Sequence, residues 1–203
     1  SSEIRKSFGA DDCDLLVGFV GLHGRFQGLD AILDAANELR SEKRIKFIFV
    51  GEGVDKSRLK EKAKELVLDN VKFYNLRPKA EMPGIVSSCD ISVVSLVKRM
   101  PGTMPSKFYE AISAGSIPLV ADGCEAALLV EKFKVGVIYE PMNGCSAAEG
   151  IRRIAEMPSE ERERVRGNAV ELAKRFDREK LARFVEATLD ALVKDEPLPK
   201  VDW

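Results

Sequence analysis

A lysine and a glutamate stand three residues apart in Pro105-Ser106-Lys107-Phe108-Tyr109-Glu110, at the front of a segment that otherwise looks built to pack. Pro105 suits the first turn of a helix, where its missing N–H costs nothing. Ser106 and Lys107 then fall where backbone N–H groups have no intrahelical acceptor and the helix dipole favours an anion. Lys107 adds a point charge of the kind that binds phosphate. Glu110 lies one turn further along, on the same face. Amides and a cation suit a diphosphate, and a carboxylate suits a ribose diol. The same spacing also describes an i,i+3 surface ion pair worth only about 0.2–0.5 kcal/mol. Residue chemistry alone leaves both readings open.

Other segments carry weaker signals. Gly21, Gly24 and Gly28 are spaced by three and four, so they do not form GxGxxG, although they would let backbone approach an anion. Arg25 adds a fixed charge there, and a plain tight turn explains the glycines equally well. His23 is the only histidine, and in a loop it is expected to be incidental. Glu52, in Val50-Gly51-Glu52-Gly53, stands where a dinucleotide fold would hold a ribose, which keeps a nicotinamide-dependent oxidoreductase under consideration. Leu76, Arg77 and Pro78 form a turn whose exposed backbone could pair with the edge of a planar base, or simply start a helix. Lys98 and Arg99, with Lys107, flank a Pro-Gly loop.

These loops need strands and helices to place them. Short apolar runs at 14–21, 45–51, 70–75, 90–96, 117–121 and 135–140 read as buried strands. Amphipathic stretches at 29–39, 55–67, 78–89, 105–114 and 125–133 read as the helices between them, the third broken near Pro83. From Ser146 to Lys194 the pattern is nearly all helical, with a cap expected at Ser159. Alternating strands and helices imply an α/β fold: a Rossmann-like, doubly wound parallel sheet of about six strands, helices on both faces and extra C-terminal helices. Residues 1–13 are expected to be linker-like, 14–195 the Rossmann-like domain and 196–203 an extended tail. In such sheets ligands bind beyond the carboxyl ends of the strands, which is where the loops above fall.

Composition narrows the function. The chain has 203 residues, 45% hydrophobic and 32% charged, with a formal net charge of −1. That describes a globular domain with no basic surplus for nucleic acid. Cysteines 13, 89, 124 and 145 form no CxxC pair and have no clustered histidine, so reduced thiols are expected and a zinc site is not. Cys89 in particular is expected to be buried. No apolar run approaches the roughly 20 residues of a membrane helix. The first strand comes so soon that a fragment, or one subunit of something larger, is expected.

Taken together, "GRFQGLDAILDAANEL", "FIFVGEG", "DNVKFYN", "SSCDISVVSL", "PSKFYEAISAGSIPLVA" and "GVIYEP" resemble the C-terminal domain of the two-domain, GT-B retaining glycosyltransferases of family 4. The pattern is most similar to the branch that makes surface polysaccharides and lipid-linked sugars. The resemblance implies that a nucleotide-sugar donor, a UDP-, GDP- or ADP-sugar, is bound without a further cofactor or metal. No DxD pair falls in a promising loop. It implies that Glu110 holds the ribose as the second acid of an E-x7-E motif, and that Ser106 and Lys107, entered from Pro105, face the diphosphate. Gly24 and Arg25 would close over the phosphates or the sugar, and Leu76 and Arg77 would seat the base. Lys107 and Arg25 would stabilise the leaving phosphate. Three positions depart from the pattern: the first acid falls on Gly102, and the usual Arg and Lys of the first loop fall on Leu22 and Gln27. The resemblance further implies an acceptor domain, in cis or as a separate chain, little turnover without it, and a cytoplasmic enzyme able to sit at the membrane face. A non-catalytic nucleotide-binding module remains an alternative.

Overall fold

The computed structural model describes residues 2–200. Six strands form one sheet in the order β3-β2-β1-β4-β5-β6, every pairing parallel. They are β1 (Leu15–Val20), β2 (Ile45–Val50), β3 (Val71–Tyr74), β4 (Ile91–Val94), β5 (Ile117–Ala121) and β6 (Val137–Tyr139). The helices are α1 (Ser2–Ser7), α2 (Asp30–Glu38), α3 (Lys56–Glu65), α4 (Met82–Ser88), α5 (Ser106–Ser113), α6 (Glu125–Phe133), α7 (Gly144–Glu156), α8 (Ser159–Ala173) and α9 (Arg178–Lys194). This is the expected Rossmann-like arrangement with additional C-terminal helices.

Strand alternation divides the core. Leu15, Val17 and Phe19 of β1 join Ile45, Phe47 and Phe49 of β2 in one cluster with α2 and α3. Leu16, Val20, Ile48 and Val50 point the other way and pack with Ile85 and Val86 of α4 and with Phe8 and Ala10. Phe19, Phe49 and Phe73 stand in register across β1, β2 and β3, with Phe49 and Phe73 stacked at 4.9 Å. The strand order reverses between β1 and β4, and the crevice that opens at such a switch is the usual ligand site of the fold.

Several local expectations change. The segment expected to be linker-like carries α1, and its Arg5, Phe8 and Ala10 are buried. The cause is a side chain whose partners lie far along the chain: Arg5 donates to Ser88 O and to Asp90 Oδ2, each at 2.8 Å. Pro83 does not break a helix. A 3-10 turn over Lys79–Glu81 leads into α4, and Pro83 occupies its first turn, where no N–H is needed. Ser159 is the first residue of α8 and not its cap. Pro158 turns the chain into the helix and accepts from Arg162 N at 3.0 Å. Asp177 caps α9 by accepting from Glu179 N and Lys180 N. Residues 196–200 have no regular structure, and the last three residues of the expected tail lie outside the described residues. Cys89 and Cys124 are buried, Cys13 and Cys145 are exposed, and all are free thiols.

Candidate functional site

The site is built around the front of α5. Pro105 is extended, at φ −66 and ψ 125, and its carbonyl accepts from Phe108 N. The chain therefore enters the helix with the amides of Ser106 and Lys107 ahead of the first bonded turn. Among the described residues neither amide meets a protein acceptor. The preceding loop is fastened on two sides. Val97 N donates to Phe26 O, Met100 N to Gly123 O, and Glu125 N to Thr103 O. Gly102 N donates to Glu125 Oε1 at 3.0 Å.

Lys107 lies across Gly21, at the end of β1. A Cβ on Gly21 would stand 2.8 Å from Lys107 Cε, and its φ of +137 also favours glycine. The ammonium sits 5.1 Å from the centroid of the Phe19 ring. Burial pushes its pKa down, and the Glu110 carboxylate opposes that shift. Among the described residues Lys107 makes no ion pair, and Glu110 is exposed with none of its own. The surface ion pair that their spacing permits does not form. Both side chains instead line one cleft of about 890 Å³, with Val20, Met82, Val86 and Tyr109. The cleft lies between α4 and α5 at the switch point.

Leu76 and Arg77 line a second hollow of about 410 Å³, with Phe73, Tyr74 and Asn75, directly after edge strand β3. Gly24 and Arg25 line neither hollow. Arg25 opens a short 3-10 turn, and its charge bears on Asp55. Arg99 is bound to Asp122 at 2.6 Å, so its charge is already matched. Sequence reasoning missed Lys79, Tyr109, Phe176 and Arg178 at the cleft. Tyr109 could have been read from the helical spacing, but nothing local marks Arg178.

His23 is fully buried beside Phe19, Phe49 and Phe73, and neither ring nitrogen has a protein partner. Burial, aided by Lys56, lowers its pKa to about 4. It is a neutral core group and not an acid or base of the cleft. Glu52 pairs with Lys56 at 2.7 Å, and Lys56 first, then the Leu76 amide, holds its carboxyl below the usual range. Among the described residues no cluster of three or more His, Cys, Asp or Glu could hold a metal ion, and no helix is long and apolar enough to cross a membrane.

The arrangement offers an anion site of free amides and a lysine, beside a free carboxylate, at the expected crevice. Known proteins share the fold that carries it. The chain is 28% identical over 142 residues to the "Probable glycosyltransferase WbjE" of Pseudomonas aeruginosa, covering 68% of this chain and 35% of that one. It is 28% identical over 160 residues to the "Putative colanic acid biosynthesis glycosyl transferase WcaI" of Escherichia coli K12, covering 76% and 39%. The chain thus spans well under half the length of these relatives. Its fold matches that of Anabaena Alr3699/HepE, solved with UDP-glucose, at a TM-score of 0.82 and 22% identity, over 94% of this chain and 52% of that one. It also matches the C-terminal domain of the group 1 glycosyl transferase LpcC from Francisella tularensis, at a TM-score of 0.69 and 18% identity, over 85% and 90%. The family model for glycosyl transferases group 1 matches residues 1–172, and the chain belongs to that family.

Proposed function

We propose that this chain binds the donor of a glycosyl transfer, with the diphosphate of a nucleotide sugar at the amino end of α5 and the ribose on Glu110. One observation carries the reading: amides, an ammonium and a carboxylate that have no hydrogen-bond or ion-pair partner among the described residues face the switch-point crevice from a single helix. The solved relative Alr3699/HepE was crystallised with UDP and with UDP-glucose, which supports the same ligand class here.

The chemistry follows from where charge develops. As the sugar departs, negative charge grows on the leaving nucleoside diphosphate. Preorganised amides and Lys107 stabilise it at little reorganisation cost. Partial burial strengthens that effect, because Lys107 acts through less water than a surface lysine does. Gly24 and Arg25, on the loop after β1, close over the phosphates. Leu76 and Arg77 seat the base through exposed backbone. The carboxylate of Glu125 lies beside Gly102, where the E-x7-E pattern has its first acid, and takes up its contact to the sugar. This reading needs no metal. It places the acceptor groups on an N-terminal half, so that this chain alone turns over little donor. The whole enzyme works in the cytoplasm, on a polysaccharide or lipid-linked acceptor. Calorimetry with UDP, GDP, ADP and their sugars tests the reading. Saturable binding of one of them supports it, and no binding at millimolar ligand overturns it.

A further inference from the structure

Lys56 breaks two local rules. It is the first residue of α3, where the helix dipole disfavours a cation. Its side chain is also only 7% exposed, although lysine is rarely buried unless paired. The ammonium is satisfied by groups from two loops. It donates to Gly51 O at 2.7 Å and Glu52 Oε1 at 2.7 Å in the β2–α3 loop. It also donates to Tyr74 O and Asn75 Oδ1, each at 3.0 Å, at the end of β3. Glu52 in turn faces the amide of Leu76.

The location gives this clamp its meaning. β3 is an edge strand, hydrogen-bonded only to β2. Past Tyr74 the chain leaves the ladder, and Asn75, Leu76 and Arg77 are all exposed. An exposed turn after an edge strand has little else to fix it. A buried charge at an unfavourable helix position is therefore retained where it ties this turn to the neighbouring loop.

We infer that Lys56 is a positioning residue for the base: it fixes the backbone of the 75–77 turn against which the nucleobase is seated. This rests on the proposed donor-binding function. Lys56 does not touch the ligand. The fixed turn spares the ordering cost that binding would otherwise carry.

Calorimetry with UDP on the 203-residue chain and its K56M and N75A variants tests this, with hydrogen exchange of each. K56M is expected to raise the UDP Kd about tenfold and speed exchange at 75–77, with α2, α5 and β1 unchanged. N75A removes one acceptor and leaves the buried ammonium bonded to backbone, so it keeps the test alive should K56M not fold. It is expected to raise the Kd less. An unchanged UDP Kd in either folded variant overturns the inference, as does faster exchange spread evenly over the domain. Failure of the unmodified chain to bind any nucleoside diphosphate overturns the proposed function first, and this inference with it.

Discussion

The two ends of β1 and β4 handle charge in opposite ways. At the amino end, Asp90 accepts from Arg5, from Arg166 and from Leu16 N, at 2.8, 2.9 and 2.8 Å. Arg5 also donates to Ser88 O, Asp11 O and Asp14 O. At the carboxyl end, Lys107 is half-buried over an aromatic face, with the Glu110 carboxylate acting on it from beyond ion-pair distance, and among the described residues the amides beside it have no acceptor. One end is closed on itself and holds α1, α4 and α8 to the sheet. The other keeps capacity in reserve. An ammonium and amides that meet no protein acceptor, on a partly exposed wall, can be taken up by an external anion.

Breaking the closed end should give the largest effect. D90A strands two arginines and is expected to cost about 3–5 kcal/mol of stability, read from urea unfolding. Where the variant folds, nucleotide affinity should be unchanged.

His23 comes next. Its folded pKa of about 4 lies below the ordinary 6.5, so the unfolded chain binds the proton more readily between those values. Stability is then fully present above about pH 6.5 and falls toward pH 4, by at most about 3 kcal/mol. H23F keeps an aromatic ring in the cluster and should flatten that part of the pH profile. An identical slope in H23F would assign the loss to other groups.

At the open end, affinity and stability should separate. K107M removes a half-buried cation whose burial outweighs the attraction of Glu110, so unfolding should be unaffected or slightly harder. Nucleoside diphosphate affinity should fall by about 1.5–3 kcal/mol, as for a lost hydrogen bond to a charged group. Equal losses of affinity and stability would make Lys107 a structural lysine. The smallest expected effect is at Glu110. E110A should weaken UDP by about 1 kcal/mol and 2′-deoxy-UDP by less, since the contact is to the ribose diol.

Much of this was legible from periodicity. Five strands are largely buried and read as mostly apolar runs, the half-exposed edge strand β3 was found from its short Val-Lys-Phe-Tyr pattern, and the strand order placed the crevice where the α/β rule put it. Lys107 and Glu110 could be paired because helical spacing fixes which residues share a face. Contacts between distant segments were not legible. Arg5 is bonded to Asp90, 85 residues away, so its segment read as a linker. Arg178 reaches the cleft only through the path of the last helices. Lys56 looked like one lysine among many on a solvated helix, because its partners lie on another strand. His23 looked incidental in a loop and proved to be core, since the loop folds under its neighbour: His23 N donates to Glu52 O, and His23 O accepts from Asp55 N.

The most direct measurement is a crystal structure of this chain soaked with UDP. The β-phosphate should lie within hydrogen-bond distance of the Ser106 and Lys107 amides and the Lys107 ammonium, with a Glu110 oxygen on the ribose. A diphosphate bound elsewhere, or those amides covered by protein atoms in the complex, would contradict the account.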